Sequence, residues 1–81
     1  STLESEIVSA LGGQDNIVGV TNCATRLRVE VKDGTQVASD AVWTEHLDAS
    51  GVVRADNHFQ IIYGPRVVNI ATRVKDILGH D

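Results

Sequence analysis

Between Arg26 and Lys32 the chain alternates without interruption. Leu27, Val29 and Val31 are apolar, and Arg26, Arg28, Glu30 and Lys32 are charged. Successive strand side chains point to opposite faces, so this segment predicts a strand over 25–32 with one buried and one wet face. A sheet containing such a strand must be covered on one side and open to water on the other, which removes most layer architectures at once. Asp33-Gly34 supplies the turn that closes the strand.

The flanking segments supply the cover. Leu3, Ile7, Ala10 and Leu11 fall on one face of a helix over 3–11, and Gly12-Gly13 ends it. A short strand over 16–22 has Ile17, Val18 and Val20 as its apolar content. Ser39 is a candidate N-cap for a helix over 39–47, with Val42, Trp43 and Leu47 inward. Val52, Val53, Phe59, Ile61 and Ile62 predict a hairpin over 51–54 and 58–63 around Asp56-Asn57, a pair that tolerates positive φ. Val67, Ile70, Ala71, Val74, Ile77 and Leu78 draw one stripe on a helix over 65–78, opened by Pro65 and stopped by Gly79. The order α-β-β-α-β-β-α predicts an α+β open-faced sandwich: a four-stranded, mainly antiparallel sheet with three helices on one face.

Size and charge narrow the function. A chain of 81 residues reads as one domain over 1–81, and domains of this size bury only roughly 60–65% of their unfolded surface. A net charge of −4 argues against a nucleic-acid module, since phosphate backbones select basic surfaces. No apolar run is long enough to predict a membrane span, and no signal peptide is visible. The chain begins at Ser1 rather than Met, which leads to the expectation of a domain excised from a larger protein. The one cysteine excludes an internal disulfide and a cysteine-based zinc cluster, and fits a reducing, cytosolic compartment.

That cysteine, Cys23, lies in Asn22-Cys23-Ala24-Thr25-Arg26-Leu27-Arg28. Arg26 and Arg28 are two apart on the strand, about 6.5–7 Å along the backbone, so they point the same way and can converge on one anion. In a continuous strand Cys23 would have the opposite parity and face the core. Chemistry shared with the arginines therefore requires a bend, and Asn22 through Thr25 lies where the first hairpin must turn. An exposed thiol there, near guanidinium groups and a turn of backbone N–H groups, is expected to have a lowered pKa and to suit nucleophilic acceptance of a phosphoryl group without a metal. Lone cysteines in small domains are also commonly buried hydrophobes, and strand arginines are commonly solvated. The cysteine-phosphatase loop places its arginine six positions past the cysteine; here that residue is Val29, so this loop is absent. Dithiol redox chemistry lacks its second cysteine.

Leu11-Gly12-Gly13, Asn16-Ile17, Asn22 through Val29, Ala49-Ser50-Gly51-Val52-Val53 and Phe59 through Pro65 together resemble the IIB domain of the glucose family of the bacterial phosphoenolpyruvate-dependent sugar phosphotransferase system (PTS). The resemblance covers nearly the whole chain. It implies an enzyme component, a protein-phosphohistidine–sugar phosphotransferase. Cys23 would accept phosphate from a phosphohistidine on a IIA domain and donate it to a sugar bound by the membrane IIC domain. Arg26 and Arg28 match the paired arginines that serve onward transfer, and Thr25 and Ala24 would neighbour the phosphate. No cofactor or metal is implied, and the isolated domain is expected to be a monomer at the cytoplasmic face of the bacterial membrane. The sequence departs from the family's pattern at Asp48, where glycine is usual, and in the slightly longer Asp33–Leu47 segment.

Two readings from other classes remain beside this one: a non-catalytic regulatory or interaction module with an inert thiol, and a single-cysteine redox sensor. His46, His58 and His80 are scattered without ligand spacing and read as surface histidines. Trp43 reads as core and Asp56 as a turn residue. Gly64-Pro65 reads as a helix start whose N-terminus could also attract an anion.

Overall fold

The computed structural model describes residues 1–79. Helix α1 (Leu3–Ala10) starts with a reciprocal cap: Thr2 Oγ1 accepts the Ser5 N–H at 3.1 Å, and Ser5 Oγ accepts the Thr2 N–H at 3.0 Å. A short 3-10 turn (Gln14–Asn16) leads into β1 (Ile17–Asn22), followed by β2 (Arg26–Val31). A second 3-10 turn (Gly34–Gln36) precedes α2 (Asp40–His46). Strands β3 (Gly51–Ala55) and β4 (His58–Ile62) form the second hairpin, and a third 3-10 turn (Gly64–Arg66) opens α3 (Val67–Leu78).

The sheet order is β1-β2-β4-β3, and every pairing is antiparallel. Strand β2 is central, and its alternation is realised: Leu27, Val29 and Val31 are buried, while Arg28 and Glu30 are exposed. Across β2, Phe59 and Ile61 of β4 bury on the same face through the pairs Val29↔Phe59 and Leu27↔Ile61. Ile7, Leu11, Trp43, Leu47, Val67, Ile70 and Val74 cover that face. The architecture is the expected open-faced α+β sandwich.

Several local expectations are corrected. Ile17 pairs with Val31 but Gly19 pairs with Glu30, so Val18 is an extra residue in a β-bulge. The bulge lets Ile17 and Val20, three apart, both enter the core, and it leaves Val18 exposed. Val53 faces the open side of β3 and is exposed rather than core. Ile77 sits at the rim of the α3 stripe, where its carbonyl accepts Gln14 Nε2 at 2.7 Å. Ser39 occupies the N-cap position of α2 but makes no side-chain capping bond. The long Asp33–Leu47 segment is taken up by the Gly34–Gln36 turn, and the helix begins at Asp40. Pro65 lies in the Gly64–Arg66 turn, two residues ahead of the first residue of α3.

Other expectations hold in detail. Trp43 is fully buried, with Nε1 donating to the Ala38 carbonyl at 3.2 Å. Asp48 adopts a left-handed backbone (φ 60), which explains why the related pattern favours glycine there. Asp56 takes φ 54 in the second hairpin turn. Buried Asn16 fastens the end of α1 to the end of β2: Nδ2 donates to the carbonyls of Leu11 (2.7 Å) and Asp33 (3.1 Å), and Oδ1 accepts the Asp33 N–H at 3.0 Å. A Cβ on Gly12 would come within 2.6 Å of Asn16 Nδ2, so glycine is required beside it as well as for the φ of +100.

Candidate functional site

The β1–β2 hairpin turns through Ala24 and Thr25. Its register sets Asn22 opposite Leu27 and Thr21 opposite Arg28. Cys23 N–H donates to the Arg26 carbonyl at 3.0 Å, so Cys23 lies across from Arg26. The reversal therefore resets the parity. Directly opposed residues share a face, so Cys23 joins Arg26 and Arg28 on the open side of the sheet. Two-residue hairpin turns usually need positive φ, but neither Ala24 nor Thr25 has it. The Arg26 N–H is not returned to the Cys23 carbonyl and is free to face the sulfur.

The thiol is partly exposed. Its pKa is lowered from 9.0 to about 7, foremost by the Thr25 N–H, against a partial desolvation that raises it. The Arg26 N–H, then a hydrogen bond and the charge from the Arg28 guanidinium, lower it further. Two backbone N–H groups and one guanidinium thus favour the thiolate form of the sulfur. The same donors suit phosphoryl oxygens attached to that sulfur.

The two arginines are not equivalent. Arg28 lies diagonal to Cys23 across the hairpin, within reach of a long side chain, and its guanidinium serves the thiol. The Arg26 side chain turns toward β4, where its Nη1 donates to Gln60 Oε1 at 3.0 Å. Arg26 reaches the sulfur through its backbone N–H alone. Thr25 contributes backbone rather than hydroxyl, and Ala24 is exposed on the turn. An open groove of about 580 Å³ adjoins Arg28, bordered by Thr21, Glu30, His58 and Gln60.

The turn is held from behind. The Thr25 carbonyl accepts the N–H groups of Tyr63 (3.0 Å) and Gly64 (2.9 Å). The Gly64 N–H is therefore committed to the turn rather than to an anion. Tyr63 is itself anchored, its hydroxyl donating to the Leu47 carbonyl at 2.9 Å, and burial pushes its phenol pKa up. Neither Tyr63 nor Gln60 carries a role in the sequence reading. The available signal was their register, since Gln60 pairs with Arg28 and the Tyr63-Gly64 pair follows Ile62, the partner of Arg26. His46 and His58 are exposed on separate elements, and His80 lies outside the described residues.

Fold and site together define an open-faced α+β domain that presents one activated cysteine beside two arginines. Comparison with known proteins places it. A family profile described as phosphotransferase system, EIIB, matches residues 5–37. The crystal structure of one domain of the PTS system IIabc component from Clostridium difficile superposes with a TM-score of 0.78 and 33% identity, covering 98% of this chain and 81% of that one. The maltose-specific EIICB component of the PTS from Bacillus subtilis (strain 168) is 55% identical over 72 residues, 89% of this chain. The arbutin-, cellobiose-, and salicin-specific EIIBC component from Escherichia coli (strain K12) is 40% identical over 81 residues, 100% of this chain. The chain belongs to the EIIB family of the phosphotransferase system. It spans 14% and 16% of the length of those two relatives.

Proposed function

We propose that this domain relays a phosphoryl group by way of Cys23, from a phosphohistidine on a IIA domain to a sugar bound by a membrane IIC domain. The observation that carries the reading is the hairpin register that sets a partly exposed Cys23 opposite Arg26 and diagonal to Arg28 on the open face, where its pKa is lowered to about 7. In the first step the Cys23 thiolate attacks phosphorus. An S–P bond forms, the N–P bond breaks, and its electron pair returns to the histidine nitrogen. In the second step a sugar hydroxyl oxygen attacks the same phosphorus, the S–P pair returns to Sγ, and the hydroxyl proton passes to water or a base. The N–H groups and Arg28 hold the equatorial oxygens through both displacements, which is the positioning and charge stabilisation that phosphoryl transfer demands.

The relatives' names join EIIB to EIIC, and in some to EIIA, within one protein. This supports the IIA and IIC partners, a domain cut from a larger permease, and a place at the cytoplasmic face of the membrane. No helix among the described residues is long and apolar enough to cross a membrane itself. The relatives' names give maltose, α- and β-glucosides, glucosamine and glucose, so the sugar is proposed to be glucose, glucosamine or a glucoside.

The test is an intact mass after incubation with phosphoenolpyruvate, the general PTS proteins and a IIA domain. A phosphate adduct is expected on the wild type and not on Cys23→Ser. No adduct with a competent IIA donor would overturn the relay, and a reversible oxidised adduct under mild peroxide would favour a redox sensor instead.

A further inference from the structure

We propose that Gln60 is a positioning residue for Arg26: its Oε1 holds the Arg26 guanidinium on the open sheet face, reserving it for the phosphoryl group during onward transfer while Arg28 serves the resting thiol. This deepens the relay reading and rests on it.

The register makes the arrangement specific. Arg26 pairs with Ile62 and Arg28 with Gln60, so Gln60 is diagonal to Arg26 on the β4 side. Cys23 is diagonal to Arg28 on the β1 side. Each arginine is thus drawn to its own neighbour, and the two like charges are kept from crowding one point. The Nη1–Oε1 distance is 3.0 Å, and both residues are partly buried. The bond is charge-assisted, with a neutral amide oxygen as acceptor, and a hydrogen bond of that kind orients a guanidinium without neutralising it. Arg26 has no carboxylate partner among the described residues, so its charge remains available. Gln60 also borders the open groove beside Arg28.

In the transfer step the sugar oxygen bonds to phosphorus as the S–P bond breaks and its pair returns to Sγ. Negative charge spreads over the oxygens, and an aimed second guanidinium stabilises it more than a freely moving one does. Acceptance from IIA relies on the Thr25 and Arg26 N–H groups and Arg28, and is affected less. Gln60→Met keeps the side-chain length and removes the acceptor. Gln60→Glu keeps an oxygen acceptor for Arg26.

The experiment has two arms. Nitrogen-15 NMR of the Arg26 guanidinium in this chain reads the hold directly: restricted in the wild type and Gln60→Glu, freely rotating in Gln60→Met. An Arg26 that is equally mobile in all three overturns the proposal. In the second arm the phosphorylated domain is given to IIC-containing membrane vesicles with maltose as the probe. Gln60→Met is expected to take phosphate on Cys23 at nearly the wild-type rate and deliver it about tenfold more slowly, a hydrogen bond to a charged group being lost. In an Arg26→Lys background the same substitution should cost almost nothing more, because the two residues act as one unit. Equal slowing in both backgrounds would mark Gln60 as merely structural and overturn the proposal. A wild type that acquires no phosphate instead overturns the relay and with it the transfer role, while the NMR arm still decides whether Gln60 holds Arg26.

Discussion

The lowered pKa of Cys23 comes foremost from donors that a side-chain inventory omits. The Thr25 N–H contributes most to lowering its pKa to about 7, with the Arg26 N–H and the Arg28 guanidinium behind it. Reactivity resides in the thiolate, so iodoacetamide alkylation should rise with pH through a midpoint near 7 and level off above it. Arg28→Ala should move that midpoint upward only part of the way toward 9.0, because the N–H groups remain. An unchanged midpoint would remove Arg28 from the site. The linkage has a definite sign. The folded thiol ionises more readily than the unfolded one, so its stabilising contribution is complete above the unfolded value and fades as pH falls through about 7. The need for a bend at Cys23 was legible from parity alone. The separate destinations of Arg26 and Arg28 were not, since they depend on which strand lies on each side of β2.

At the scale of elements, the site is a hairpin turn braced by the connection between β4 and α3. Gly64 holds φ +76 there and donates to the Thr25 carbonyl. A Cβ at Gly64 meets nothing within 4 Å, so Gly64→Ala is penalised by backbone conformation alone, about 1–2 kcal/mol. Urea unfolding should show that loss, and alkylation of Cys23 should slow at neutral pH as the turn loosens. Stability lost without any change in thiol reactivity would detach the brace from the site. The central strand and the last helix were readable because each has a clear period: two in Arg26–Val31, near 3.6 in Val67–Leu78. The bulge at Val18 was hidden, because a single inserted residue breaks the period of β1 without leaving a compositional mark. The brace was hidden too, since main-chain bonds between distant segments carry no residue signature.

For the molecule as a whole, the core lies between one face of the sheet and the three helices that cover it. Trp43 is its largest fully buried side chain. Trp43→Ala should cost about 3–5 kcal/mol, against a total stability on the order of 4–12 kcal/mol for a domain this small. A denaturation midpoint shifted by less than a quarter of the wild-type value would show that α2 is dispensable to the core. The open face, by contrast, is left to function, and charge substitutions there are expected to alter transfer more than stability. The bonds from Tyr63 and Gly64 to Thr25 have a temporal consequence. A domain emerging from the ribosome makes its first hairpin early, but lacks residues 63 and 64 until α2 and the second hairpin have been synthesised. Nascent chains arrested before Tyr63 should therefore carry a sluggish thiol, and those extended through α3 a more reactive one.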